Sequence, residues 1–164
     1  MTFKERSPSI RLLCAGIAAF SLISCSSATK GPGGTISKVK PFFLDPAVVL
    51  RTPDPAIVFE RESHLRGAYT AAEQVNRSGT YYSIFWKVDD RSQPVTVRFE
   101  YRQANTALAV KTLEQEVASE KRNNLTKFQV TGAEYTVGGR VSAWRVSLVR
   151  GKEVLVTQQS YLWE

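Results

Sequence analysis

Cysteine is nearly absent from this chain: of 164 residues only Cys14 and Cys25 carry a thiol, both near the N-terminus. No disulfide can staple the residues beyond Cys25 to one another, so the fold must stand on its core. Histidine is scarcer still, with His64 alone. One histidine cannot furnish a zinc site, which needs several Cys, His or carboxylate ligands. His64 sits between Arg61 and Arg66, without the nearby nucleophile motif that a Ser-His-Asp arrangement demands; it reads as an exposed loop histidine. Asp89-Asp90 reads as a polar turn because it lacks the run of oxygen ligands calcium requires. Glu114, Glu116 and Glu120 read as charges on a solvated face rather than paired catalytic carboxylates. The one glycine cluster, Gly31-Pro32-Gly33-Gly34, follows no strand and reads as flexible linker, not a phosphate loop. The net charge of +7 is dispersed, whereas a nucleic-acid surface calls for clustered Lys and Arg with a recognisable motif. These absences lead us to expect no catalytic residue, no metal, no cofactor and no nucleic-acid partner.

The N-terminus holds the most specific signal. Lys4, Arg6 and Arg11 precede an uncharged apolar run from Leu12 to Ile23. As a helix this run spans about 18 Å, short of the about 20 residues a bilayer crossing needs and right for the apolar centre of a secretory signal. It ends in Leu22-Ile23-Ser24-Cys25. That stretch resembles the lipobox of bacterial lipoproteins, with Leu22 three before the cysteine, Ile23 in a permitted place and small Ser24 next to it. The resemblance implies that residues 1–24 form a signal peptide and are removed. It further implies that Cys25 receives a thioether-linked diacylglycerol and an acyl chain on its amine. Two or three chains anchor a protein stably where one holds it only marginally. Ser26, standing where an aspartate favours inner-membrane retention, implies an outer-membrane location within the cell envelope. Conventional secretion with cleavage near Ser24 is the alternative, and it leaves Cys25 as a free thiol.

Loss of the leader removes Lys4, Arg6, Arg11 and Glu5 and leaves a mildly basic chain of single-domain size. Residues 25–55 read as a lipidated N-terminus and tether, because Ser, Lys and Gly give way to Pro41, Pro46, Pro53 and Pro55. Proline withholds a backbone donor and biases its predecessor to extended geometry, so regular structure is not expected before residue 56. Phe42, Phe43, Val48, Val49 and Leu50 are too apolar for a purely solvated linker. They favour packing on the protein's own domain, or an edge strand, over a partner-binding segment.

The domain is placed at 56–164, and its pattern is β. Tyr82, Ile84, Trp86 and Val88 alternate on one face, as do Val95, Val97, Phe99 and Tyr101 with Thr96, Arg98, Glu100 and Arg102 opposite. Asp89 to Pro94 breaks these two runs. A strand is expected over about 125–131, and a hairpin over Val141–Val149 and Val154–Trp163 with Gly151 in the turn. Residues 107–121 read as strand to about Val110 and then short helix or loop, and 66–81 as holding another short strand. Phe85-Trp86, the turn ending at Pro94 and Val97 to Arg102 resemble the second and third strands of a fibronectin type III domain. Phe128 to Tyr135 is similar to that family's later strand and tyrosine corner. The resemblance implies an all-β, antiparallel, immunoglobulin-like sandwich.

Tyr81, Tyr82, Trp86, Tyr101, Trp144, Tyr161 and Trp163 are numerous for a small domain. Most fall on core-facing positions; Tyr161 and Trp163 are the candidates for an exposed binding pair. The leading expectation is a non-catalytic lipoprotein, held in the membrane by acylated Cys25, whose sandwich contacts an envelope protein or organises an assembly. The alternative is a carbohydrate- or peptidoglycan-binding module, which requires a row of exposed aromatics on one sheet.

Overall fold

The computed structural model describes residues 28–49, 51, 54–118 and 121–163. The stretch read as signal peptide, the lipobox-like residues and Cys25 lie outside the described residues. Within these described residues, eight strands form two antiparallel four-stranded sheets. The first has the order β1 (Thr29–Lys30), β2 (Gly34–Leu44), β3 (Gly79–Val88), β6 (Asn124–Thr131). The second has the order β5 (Lys111–Val117), β4 (Val95–Gln103), β7 (Val141–Arg150), β8 (Glu153–Gln159). Three short helices join them: α1 (Pro55–Leu65), α2 (Ala71–Asn76) and α3 (Gly132–Gly138).

The core lies where the alternation places it. β4 buries Val95, Val97, Phe99 and Tyr101, and β3 buries Tyr82, Ile84, Trp86 and Val88 against them. Phe99 of the second sheet meets Tyr82 and Phe128 of the first at ring separations of 4.5 and 5.5 Å. The buried indole of Trp86 donates Nε1–H to Thr126 Oγ1 at 2.9 Å, so its polar atom is satisfied inside the core. The two sheets therefore form an all-β sandwich around one apolar cluster.

Several expectations need correction. The stretch read as a tether contains β2, an eleven-residue strand with Ile36 and Leu44 buried, so the sandwich begins at β1 instead of residue 56. Pro41 was the misleading sign; beyond Ile36 β2 pairs only with β3, and a proline is tolerated on such an edge. Pro55 starts a helix rather than breaking one: it occupies the first turn of α1 behind Asp54, whose side chain caps Ala56 N–H at 2.9 Å. Residues 71–76 form α2, not a strand, fixed by a reciprocal capping box between Thr70 and Glu73. After β4 the chain turns through residues 104–110 and returns as strand β5. Cross-strand pairing with β4 there overrides the helix-favouring composition.

The Gly31–Gly34 turn is not loose linker either. Gly31 N–H donates to Gly34 O at 2.9 Å, and a Cβ on Gly31 would stand 2.2 Å from the carbonyl oxygen of Leu155. Only glycine lets this turn lie against β8. Trp163 leaves the expected strand as well, in a 3-10 turn over Tyr161–Trp163.

Phe99→Ala is expected to cost about 3–5 kcal/mol, the usual penalty for emptying a fully buried aromatic position. Urea unfolding followed by tryptophan fluorescence would register it as a lower midpoint with an unchanged slope.

Candidate functional site

The outer face of the first sheet is where the sandwich gains something beyond a core. Outward positions follow from the register: Phe42, Tyr81 and Gln129 form one row, Lys40, Ser83 and Lys127 the next, Lys38, Phe85 and Leu125 the third. Helix α1 covers the first row. His64, in its last turn, stacks between Phe42 and Tyr81 with centroids 5.2 and 3.9 Å away. Arg77 donates to the His64 carbonyl at 3.3 Å, and Tyr81 Oη–H donates to the Arg77 carbonyl at 2.7 Å. His64 is thus a half-buried packing residue, not the exposed loop histidine expected from its polar neighbours. Burial among rings holds its pKa below the ordinary histidine value, Glu60 opposing the shift while Lys127 and Lys40 reinforce it.

About one turn before His64 on α1, Arg61 donates to the carbonyls of Asp45, Pro46 and Val48 at 3.1, 2.8 and 2.9 Å. One guanidinium thereby satisfies a turn that would otherwise leave its acceptors to water. Between this turn, the end of β2 and α1 lies a cavity of about 230 Å³. It is lined by Phe42, Phe43, Leu44, Val48 and Ile57 together with Asp45 and Arg61. Val48 and Ile57 remain exposed at it. Beside α1, the second row opens into a hollow of about 350 Å³ lined by Lys40, Phe59, Glu60, Ser63, His64, Ser83 and Lys127 among others. Lys40 and Glu60 pair across it.

The aromatic pair chosen from the sequence divides. Tyr161 is 91% exposed, whereas Trp163 is 6% exposed and lies between two guanidiniums, Arg102 at 4.7 Å and Arg145 at 4.9 Å from its ring. Arg145 is held in turn by a bidentate pair with Glu100 at 2.7 and 2.8 Å, which lowers the Glu100 pKa. Trp163 is therefore a closing residue of the second sheet and not an open stacking platform. Trp86 is buried and Trp144 half-buried. The exposed aromatics among the described residues are Phe59 on α1, Tyr69 between helices, Phe85 on β3 and Tyr161.

Other polar clusters serve the fold. Asp90 accepts from Ser92 N–H and Oγ–H and from Arg150, which is the polar turn the sequence indicates. Gln103, fully buried, donates to the carbonyls of Glu134 and Gly139 at 3.0 Å each and accepts from Lys111, tying α3 to the end of β4. Tyr101 donates to Glu134 at 3.2 Å, and burial with that carboxylate beside it pushes the phenol up to about 12. No group of three or more metal-ligating side chains occurs among the described residues. The described residues also hold no helix long and apolar enough to cross a membrane.

No protein-family model, curated protein or solved structure matches this chain. Its function must be argued from its own residues.

Helix α1 and the hollow beside it are not foreseen in the sequence. Asp54-Pro55 was the available signal, an N-cap followed by a first-turn proline. The exposed Ile57 and Phe59 hid it, because α1 buries no residue completely and so lacks a clear apolar stripe.

Since His64 binds its proton more weakly folded than unfolded, the unfolded state gains protons first as pH falls below about 6.5. Thermal stability should decline through that window in the wild type, and His64→Phe should flatten the decline in melts taken between pH 7.5 and 5. Trp163→Ala should destabilise the fold by at least about 2 kcal/mol, while Tyr161→Ala leaves the melting temperature unchanged.

Proposed function

We propose that this chain is a membrane-tethered envelope lipoprotein, anchored through acylated Cys25, whose sandwich makes non-catalytic contact with another envelope protein. Two observations at opposite ends of the first sheet support the reading. The lipobox-like Leu22-Ile23-Ser24-Cys25 lies only four positions before β1. From Cys25 to Thr29 an extended chain reaches at most about 14 Å, so an anchored domain would stand close to the bilayer instead of on a long leash. At the far end, the apolar cavity beside α1 is the feature that carries the contact reading. Its volume of about 230 Å³ suits one apolar side chain of a partner, and the arginine clamp holds its wall in place. Protein interfaces concentrate their affinity in such pockets.

The fold type belongs to the same proposal. Taking β2, β3, β4, β6, β7 and β8 as strands A, B, C, E, F and G gives A-B-E in one sheet and C-F-G in the other, the immunoglobulin-type division. β5 joins the C side, where a constant-type immunoglobulin domain would place its fourth strand beside E. Buried Trp86 on the second of these strands, and Tyr135 between the later two, agree with the fibronectin type III resemblance. The glycan-binding alternative has less to rest on, since the exposed aromatics among the described residues lie on α1, between α1 and α2, on β3 and in the last turn, without forming a row on one sheet.

Two experiments test the function. Wild-type protein should partition with membranes and yield an N-terminal mass carrying acyl chains on Cys25, while Cys25→Ala accumulates with its leader attached. A soluble, unacylated wild type would sink the anchor. A photo-crosslinker placed at Ile57 in cells should trap one dominant envelope protein, and Val48→Asp should abolish that adduct. An adduct pattern indifferent to Val48→Asp removes the cavity from the contact.

A further inference from the structure

The two outer faces of the sandwich are charged in different ways. On the second sheet cations and acids alternate and neutralise one another: Arg98 pairs with Glu114 at 2.5 Å, and Arg145 with Glu100. The strands of the first sheet contain no aspartate or glutamate at all. They carry Lys30, Lys38, Lys40, Lys87 and Lys127 instead. Glu60 of α1 reaches that face and takes Lys40. Among the described residues Lys38, Lys87 and Lys127 enter no ion pair.

Interleaved with these lysines are apolar side chains in the open. Phe85 and Leu125 are cross-strand neighbours, 38% and 48% exposed, in the same row as Lys38. Phe59 of α1, 66% exposed, stands over the next row and lines one hollow with Lys40 and Lys127. Aromatic and aliphatic side chains among unpaired lysines, on strands without acids, make a surface complementary to anionic headgroups above an acyl layer.

We propose that this open half of the first sheet's outer face, centred on Lys38, Phe85, Leu125 and Lys127, docks on an anionic phospholipid surface. Position favours lipid over an acidic protein as the occupant. Thr29 lies opposite Ile36, one register row from Lys38 and Phe85, so the patch sits at the end of the sheet where the chain from Cys25 enters. The proposal rests on the tethered-lipoprotein reading for the nearness of a bilayer. It adds a second contact that lays the domain on its first sheet and turns the second outward. Because β2 runs from this patch to the cavity at Leu44, the cavity would stand at the sheet's other end.

The test uses the chain from Ser26 onward, which lacks lipid and leader but keeps every core side chain, the earliest being Ile36. A cooperative thermal melt checks that it is folded. It is sedimented with vesicles of phosphatidylcholine alone and of phosphatidylcholine with phosphatidylglycerol. Binding is expected to the anionic vesicles only and to weaken as salt is raised. The double change Lys38→Glu with Lys127→Glu should lower partitioning by more than about tenfold. Phe85→Ala with Leu125→Ala should lower it by about fivefold. Arg98→Gln, which opens an exposed ion pair on the second sheet, should leave it unchanged.

Wild-type protein that stays in solution with anionic vesicles would overturn the proposal, as would lysine reversals without effect. So would equal binding to soluble polyglutamate that ignores Phe85→Ala with Leu125→Ala, which would make the face a dock for an acidic protein. None of these outcomes touches the acylation of Cys25, which the mass measurement decides separately.

Discussion

Phe99 stands between Tyr82 and Phe128, and on that three-ring contact the two sheets are joined. β4 supplies Phe99 from the middle of the second sheet, flanked by β5 and β7. β3 and β6 supply its partners from the first. With no cysteine after residue 25, nothing covalent holds the sheets together, so dispersion and water exclusion across this layer must do so. That inner layer frees most of the outer faces from joining the sheets. They can carry charges and helices chosen for other purposes, and the two faces of this protein differ accordingly.

That difference sets out a division of labour along the first sheet. Its α1 end is covered and clamped, with Arg61 closing a turn and His64 filling the gap between two rings. The opposite end is open, basic and partly apolar. Helix α1 is itself lightly held, since it buries no residue fully and depends on one imidazole whose burial disfavours its charged form. An element attached in this way opens more readily than the core strands beneath it.

Much of this was legible in the sequence, and the rest was obscured for identifiable reasons. β3, β4 and β6 could be read because each has one buried face, and their period of two is clean; β7, buried on both faces over Val146–Val149, was marked instead by its apolar run and the Gly151 turn. β2 could not, because Pro41 and the glycine turn before it imitate a linker; only the pairing with β3 makes a strand of it. β5 has no fully buried residue, so its periodicity carried little signal. The two capped helices were announced by Asp54-Pro55 and by Thr70 with Glu73, signals that are local and were outweighed by the β pattern around them. Trp163 looked like an exposed end residue because sequence position says nothing of Arg102 and Arg145, which come from other strands to cover it. The acid-free composition of the first sheet is present in the sequence, but it becomes visible only when four separated strands are known to be neighbours.

Pro41 has one further consequence. β2 flanks the first sheet, and for most of its length β1 does not shield it. An uncovered row of amide donors invites another strand, from a second copy or from an unfolded chain, to add itself by backbone pairing. Pro41 leaves a gap in that row, and Lys38 and Lys40 bring like charges to any identical strand that approached. The residue that disguised the strand also interrupts the edge at which such pairing would begin.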